Sequence, residues 1–494
     1  MIKKIGAKIF ANFINKKNQK WIKNPLHFQR KTFDYLIEKA KATDFGQDHN
    51  FHKIKSYEDF QSCVPVRDYE ELRPYVDKML AGKSSVLWPG KPLYYAKTSG
   101  TTSGAKYIPL TKESMTTHIV AARDALLNYI HETGKADFVD GKQIFLQGSP
   151  ILNKKEGNII GRLSGIVAHY VPKYLQKSRM PSWETNCIDD WETKVDAIVA
   201  ETLPENMTLI AGIPSWVQMY FEKLIELKDQ AVGKTFQNFS LFVYGGVNFE
   251  PYRPMFEKLI GRKVDSIELF PASEGFFAYQ DSQDSKGLLL LLNNEIFYEF
   301  IKTTEFGETN PKRHTLEDVE LGVNYVLILS TSAGLWGYNI GDTVRFVSLE
   351  PFRLVVTGRI KHYISAFGEH VIGKEVETAM EQACKDTEVH VKEFTVAPQI
   401  DPKKGLPYHE WLVEFENPPQ KLADFAQKLD QIMQQQNVYY EDLLKGNVLE
   451  TLVISQVATG GFQEYMKSIG KLGGQNKVPR LSNDRKIADN LSLK

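Results

Sequence analysis

Residues 97–106 read K-T-S-G-T-T-S-G-A-K and crowd hydroxyls, two glycines and a flanking lysine into one short span. Glycines let backbone N–H groups approach an anion, and hydroxyls with a lysine add donors, so the span suits an oxyanion such as phosphate. Leu93–Ala96 is apolar and aromatic and predicts a strand leading in. Thr111 stands at an N-cap position ahead of a helical run through Met115, Ile119, Ala122 and Leu126. The expectation is a strand, a glycine-hydroxyl loop and a helix that together cradle phosphate; a flexible surface linker is the alternative. Spacing removes two other readings. Gly100 and Gly104 are separated by three residues and Ala105 precedes Lys106, so this is no Walker A loop. Neither Ser99 nor Ser103 follows a glycine by two residues, so no nucleophile elbow is present.

Three further stretches carry chemistry-bearing residues. E-L-F-P-A-S-E-G (Glu268–Gly275) puts an aromatic, a hydroxyl and a carboxylate on one turn after a strand. Y-N-I-G-D-T-V-R-F (Tyr338–Phe346) puts Asp342 after a glycine, at the expected start of a strand. G-G-Q-N-K-V-P-R, near the end of the sequence, presents Lys477 from a turn with Arg480 nearby. Each has a plain structural reading: a turn aspartate bonded to its own backbone, a turn boundary, and a solvated tail lysine.

These residues need a scaffold, and the periodicity supplies one. Thr208–Ala211 and Leu241–Tyr244 are apolar runs, each followed by glycines and a helical pattern, and Val264–Phe270 is a third strand. Repeated strand–loop–helix order implies a mostly parallel sheet covered by helices, with ligands at the carboxyl ends of its strands. From Phe276 to Thr357 the texture turns to β-rich hairpins. Beyond Gly358–Lys361, helices alternate with strands in the manner of a small α+β domain. The expected division is 1–357 and 358–494, hinged near 358–361.

Composition narrows the class. Lysine plus arginine and aspartate plus glutamate both number 61, which gives no electrostatic case for nucleic acid as the main partner. Cys63, Cys187 and Cys384 are too scattered for a disulfide framework or a cysteine metal site, as expected of a reduced cytoplasmic protein. The N-terminus is amphipathic, with Ile2, Ile5, Ile9 and Phe13 on one helical face and lysines on the other. Lys8 interrupts the apolar stretch and no small-residue cleavage site follows, against a signal peptide. A basic amphipathic helix can lie on a membrane, but the expectation is that the apolar face docks on the protein's own core. No stretch is long and apolar enough to span a membrane.

Taken in order, T-S-G-T-T-S-G-A-K, Y-G-G-V-N, F-P-A-S-E-G, Y-N-I-G-D, G-R-I-K and a late lysine resemble the acyl-adenylate-forming superfamily. F-P-A-S-E, Y-N-I-G-D and Q-N-K-V-P-R look most like its acyl acid–amido synthetases, the auxin-responsive plant enzymes and their bacterial relatives. The resemblance runs over nearly the whole chain. It implies an α/β fold: a large N-terminal domain with mixed and parallel sheets and a β-rich part, and a smaller, mobile α+β C-terminal domain. It also implies a ligase. A carboxylic acid would be activated by ATP and Mg²⁺ as an acyl-adenylate, then joined to the amine of an amino acid. Thioester formation with coenzyme A is the alternative in the same fold, and a non-catalytic nucleotide-binding protein is a more remote one.

By motif, the resemblance assigns Ser99, Gly100, Thr101, Thr102, Ser103, Gly104 and Lys106 to the phosphates. Gly245, Gly246 and Val247 would pack against adenine, with Phe270, usually Tyr in relatives, on its other face. Ser273 would touch phosphate or substrate carboxylate, Glu274 would hold the metal, Asp342 would accept the ribose hydroxyls, and Tyr338 would sit near the nucleotide. Arg359 and Lys361 fall at the hinge, and Lys477 would reach the α-phosphate. Lys477, Glu274 and Ser99 are the catalytic candidates. His370 stands where plant relatives carry lysine. Acyl-pocket residues are expected from the helix after the first loop and from Leu163–Tyr170.

Overall fold

The computed structural model describes residues 2–494 except 102–103, 172–175, 247–248, 250–252, 361–362, 365, 370 and 470–477. Side chains 99–101, 104, 215, 359, 363, 372 and 374 also fall outside the described set. The chain forms two compact units. The first comprises 1–98, 106–188 and 195–360, and the second 99–105, 189–194 and 361–494.

Unit 1 is built on strands β1 (Tyr94–Thr101), β2 (Gly104–Leu110), β3 (Lys142–Leu146), β4 (Asn153–Lys155), β5 (Asn158–Gly161), β6 (Arg179–Met180), β7 (Met207–Gly212) and β8 (Leu241–Gly245). It continues with β9 (Asp265–Ala272), β10 (Gly275–Tyr279), β11 (Leu288–Leu290), β12 (Ile296–Lys302), β13 (Asn324–Thr331), β14 (Tyr338–Leu349) and β15 (Phe352–Arg359). Eleven of these form one sheet in the order β12-β13-β14-β15-β11-β10-β9-β8-β7-β3-β6. Pairings from β6 through β9 are parallel, and those from β9 through β12 are antiparallel. In β7 and β8 every residue but the terminal glycine is buried, as expected where helices cover both faces of parallel strands. The remaining strands form a four-stranded sheet, β2-β1-β5-β4.

That second sheet corrects the expected strand–loop–helix cradle. The glycine-hydroxyl span takes in the end of β1 and the start of β2, and the helix begins only at Lys112. Ile108 and Leu110 are buried in the core, and the Tyr107 N–H donates to the Tyr69 hydroxyl at 2.8 Å, which holds 107–110 extended. Thr111 is the N-cap, accepting from the Ser114 N–H at 3.1 Å, but it stands a whole strand away from the loop. Asp342 likewise lies within β14 rather than at its start.

The N-terminal helix α1 (Ile2–Ile22) reverses the second expectation. Ala11, Ile14, Asn18 and Trp21 face the core, while Ile2, Ile5, Ile9 and Phe13 are exposed. Asn18 donates to Asp124 at 3.1 Å and accepts from the Trp21 indole at 3.2 Å. Lys4 pairs with Asp137 at 2.7 Å. Among the described residues no helix is long and apolar enough to cross a membrane.

Unit 2 holds a two-stranded ribbon, β16 (Tyr363–Ile364) with β17 (Val371–Ile372), and a sheet of β18 (His390–Gln399), β19 (Tyr408–Asn417) and β20 (Val453–Gln456). Helices Gly373–Thr387 and Leu422–Gln436 accompany that sheet. The three cysteines are free and half-buried, and burial pushes the Cys384 thiol up, away from a reactive thiolate.

His118 sits on the buried side of the Lys112–Thr133 helix, 4% exposed, with no partner for Nε2 among the described residues. Burial pushes its imidazole down to about 4. The unfolded chain takes up this proton near the ordinary value of about 6.5, and the folded chain resists it until about 4. The stabilisation is therefore complete above the unfolded value and is lost as pH falls through that window. Between pH 7.5 and 5, wild type should lose about 2 kcal/mol more than His118→Met. Urea titrations at the two pH values measure this; equal losses would disprove the burial argument.

Candidate functional site

The sheet changes from parallel to antiparallel at β9–β10, a hairpin whose turn is Ser273–Glu274. Glu274 is buried there, at the carboxyl end of the last parallel strand. Tyr338, the first residue of β14, is fully buried beside it. Its hydroxyl donates to Glu274 Oε1 at 3.5 Å and accepts from Lys106 Nζ at 3.5 Å. These are long contacts, so their value lies in ordering the groups more than in binding energy. Lys106, on β2, lies 5.9 Å from the centre of the Tyr69 ring. Cation, hydroxyl and carboxylate thus form one row.

Two residues of this arrangement, Arg67 and Tyr69, were not among the candidates read from the sequence. Arg67 brackets Tyr338 through its backbone: its N–H donates to the Gly337 carbonyl at 2.9 Å, and its carbonyl accepts from the Asn339 N–H at 2.8 Å. Tyr69 opens a helix (Tyr69–Leu80) whose N-cap, Asp68, accepts from the Glu70 and Glu71 N–H groups, while its own N–H donates to the Glu71 carboxylate. The capping box was legible in D-Y-E-E; the partners, some 40 and 270 residues away, were not.

Glycines make the neighbouring wall. A Cβ on Gly245 would lie 2.4 Å from the Leu269 carbonyl oxygen, so only glycine allows β8 and β9 to pair to that point. Gly246 follows at φ +83°, in the left-handed region, with open space beside it. Phe270, next to Leu269 on β9, is buried edge-on to Phe277 at 5.0 Å. Asp342, on the same strand as Tyr338, is buried and in register with Arg359 of β15.

Lys106, Glu274 and Tyr338 are therefore in contact. Gly245, Gly246, Phe270 and Ser273 lie on the adjoining strand ends, and Asp342 lies four residues along β14. Ser99, Gly100 and Thr101 close β1, Gly104 opens β2 and Arg359 closes β15, but their side chains lie outside the described set. Thr102, Ser103, Val247, Lys361, His370 and Lys477 lie outside the described residues altogether. Of the expected acyl-pocket region, Leu163–Ala168 is helical and Tyr170 meets Tyr94 edge-on at 6.0 Å.

In unit 2, Glu369 and His409 are both buried, with His409 Nε2 2.8 Å from Glu369 Oε1. Glu369 Oε2 accepts from the Phe367 N–H at 2.8 Å, which fixes the turn before residue 370. Val478 is buried in the unit 2 core, and 480–482 is bonded to Val396 of β18. Arg480 stacks on Phe394 at 4.6 Å and pairs with Glu377 at 3.2 Å. The segment leaving Lys477 is thereby fastened.

The sequence matches the GH3 family N-terminal domain over residues 15–184, the central domain over 289–359 and the C-terminal domain over 374–486. The chain belongs to the GH3 family. A jasmonoyl–L-amino acid synthetase, JAR6 of Nicotiana attenuata, is 22% identical over 97% of this GH3 chain and 95% of its own. An indole-3-acetic acid-amido synthetase, GH3.4 of Arabidopsis thaliana, is 20% identical over 93% and 89%. Among solved structures, AtGH3.15 acyl acid amido synthetase in complex with 2,4-DB has the same fold, with a TM-score of 0.61 at 16% identity over 98% and 97% of the two chains. A 2-hydroxyisobutyryl-CoA ligase is similar at TM-score 0.58 and 13% identity over 96% and 91%. Lys106 falls in the N-terminal match and Tyr338, Asp342 and Arg359 in the central one. Gly245, Phe270 and Glu274 lie between matched segments.

Alanine at the two glycines should separate packing from backbone strain. Gly245→Ala should cost about 1–3 kcal/mol by overpacking, and Gly246→Ala about 1 kcal/mol from its φ alone. Urea unfolding of the two variants tests this; equal losses would refute the close approach at Gly245.

Proposed function

We propose that this GH3 protein is a ligase that adenylates a carboxylic acid with ATP and transfers the acyl group to the amine of an amino acid. The observation that carries the reading is the row Lys106–Tyr338–Glu274 at the carboxyl ends of β8 and β9, where an α/β sheet binds its ligand. Amido synthetase relatives that align over nearly the whole chain support it.

In the first step a carboxylate oxygen of the acid attacks the α-phosphorus of ATP and pyrophosphate leaves. In the second, the amine nitrogen attacks the acyl carbon, loses a proton, and AMP leaves. Ser99, Gly100, Thr101, Thr102, Ser103, Gly104 and Lys106 hold the phosphates. Gly245, Gly246, Val247 and Phe270 enclose adenine, Asp342 takes the ribose hydroxyls, and Tyr338 orders the row beside the nucleotide. Ser273 contacts phosphate or the acid, and Arg359 lies at the hinge between the 1–357 and 358–494 domains. Lys477 supplies positive charge where it develops on the α-phosphate.

Mg²⁺ fits the donor set. Among the described residues no cluster of three or more His, Cys, Asp or Glu side chains could cage a metal. A single carboxylate at the turn, Glu274, suits an ion held by one or two carboxylates and the substrate's own phosphates. Bound there, Mg²⁺ would neutralise phosphate charge. The unpaired cysteines fit a reducing cytoplasm.

Pyrophosphate exchange over a panel of carboxylic acids tests the first step. AMP release with amino acids or with coenzyme A then separates amide from thioester formation. Exchange with no acid in the panel, in the presence of ATP and Mg²⁺, would refute the reading. Lys477→Ala should slow adenylation by about 10²–10³-fold, the loss of one transition-state donor. Glu274→Ala should raise the Mg²⁺ concentration needed for half-maximal exchange; an unchanged titration would remove Glu274 from the metal.

A further inference from the structure

Helix α1 has two apolar faces, and the structure uses only one. Its inner face is already satisfied by Ala11, Ile14 and Trp21, by the Asn18–Asp124 hydrogen bond and by the Lys4–Asp137 pair. On the opposite side Ile2 is 87% exposed, Ile5 51%, Ile9 66%, Phe10 43% and Phe13 64%. Ile2, Ile5, Ile9 and Phe13 follow three- and four-residue spacing, so they form one stripe along the helix. An exposed apolar stripe of this size marks an interaction surface.

The charge around the stripe identifies the occupant. Residues 1–33 contain eight lysines, one arginine and no acidic residue, in a chain whose acids and bases balance at 61 each. Lys3 and Lys8 flank the stripe on either side at 100° per residue, and Lys16, Lys17 and Lys20 continue the same face beyond Phe13; all five are exposed. A second copy packed face to face would bring like charges together, which disfavours an isologous contact. A convex row of isoleucine and phenylalanine bordered by lysines instead matches a lipid surface. Apolar side chains enter the headgroup–acyl boundary while ammonium groups meet anionic headgroups.

We propose that α1 is an interfacial helix that seats this protein on anionic lipid, with Ile2, Ile5, Ile9 and Phe13 inserted and Lys16, Lys17 and Lys20 at the headgroups. This contact is peripheral and reversible, and it leaves the inner face of α1 in place on the core. It draws on no residue of the proposed adenylation site.

Flotation of the full chain with vesicles tests the proposal, using phosphatidylcholine alone and phosphatidylcholine mixed with phosphatidylglycerol. The protein should float with the mixed vesicles, stay behind with neutral ones, and be released by salt near about 1 M. Ile9→Glu/Phe13→Glu should abolish flotation, and Lys16→Glu/Lys17→Glu/Lys20→Glu should weaken it by about 100-fold. Both variants should keep the wild-type thermal midpoint, because the substituted side chains are exposed. No flotation with anionic vesicles overturns the proposal, as does flotation unchanged in either variant. A solution dimer split by Ile9→Glu/Phe13→Glu, or an acidic protein bound by this face without lipid affinity, would reassign the surface and overturn it too.

Discussion

A methyl group at residue 245 would lie 2.4 Å from the Leu269 carbonyl oxygen, so β8 stays paired with β9 up to its last residue only because glycine stands there. The β9 side of the candidate site depends on that close approach. It carries Phe270 and the Ser273–Glu274 turn out along β9 in a fixed register, with Leu269 opposite Gly245 and Ala272 opposite Gly275. The parallel half of the sheet ends at this line and the antiparallel half begins. Two kinds of strand pairing therefore meet where the carboxylate sits, and β14 can deliver Tyr338 from the antiparallel side.

Tyr338 is placed by a longer chain of contacts. Arg313 donates to both oxygens of buried Glu299 at 2.8 Å each and to the Val64 carbonyl at 2.6 Å, and the Tyr57 hydroxyl donates to Glu299 at 2.7 Å. A buried pair of this kind gains little net stability, because desolvation offsets the attraction; losing one partner is what costs several kcal/mol. Its effect is positional. It ties the 57–64 segment to β12, and three residues after Val64 the backbone of Arg67 grips β14 on both sides of Tyr338. A buried ion pair thereby sets the depth of a hydroxyl that bridges Lys106 and Glu274.

The parallel strands were legible because Met207–Gly212 and Leu241–Gly245 are continuous apolar runs, which sheets covered on both faces demand. The residues of the row were legible by type. Their partners were not, since Arg67 and Tyr338 are brought together only by tertiary structure. The cradle was misread at Tyr107–Leu110. Pro109 argues against a strand unless the strand is an edge, and β2 is the edge of its sheet. In α1 the period was clear but the face was not. Hydrophobicity favoured the Ile–Phe stripe, whereas packing favoured Ala11, Ile14, Asn18 and Trp21, where a small side chain admits close contact and the asparagine finds Asp124. Periodicity counts apolar atoms and cannot register a polar residue whose partner lies 106 positions away.

Unit 2 solves its ordering problem with polar groups that are satisfied inside the fold. Asp430 is buried, and its oxygens accept from the Tyr440 hydroxyl at 2.5 Å, the Leu452 N–H at 3.0 Å and Gln434 at 2.7 Å. Burial first, and then the charge of Asp430, push the Tyr440 phenol well above its ordinary range, so it stays a donor. The Tyr440 ring stacks on His409 at 5.2 Å, and His409 meets Glu369. Asn437 caps the next helix through the Tyr440 N–H at 2.9 Å and donates to buried Glu375 at 3.0 Å. An apolar core of the same volume would tolerate sliding, whereas directional bonds to buried carboxylates leave each partner one position. The turn at Phe367–Glu369 is therefore located by side chains from two distant segments, and its place is fixed by hydrogen-bond geometry rather than by the length of the chain around it.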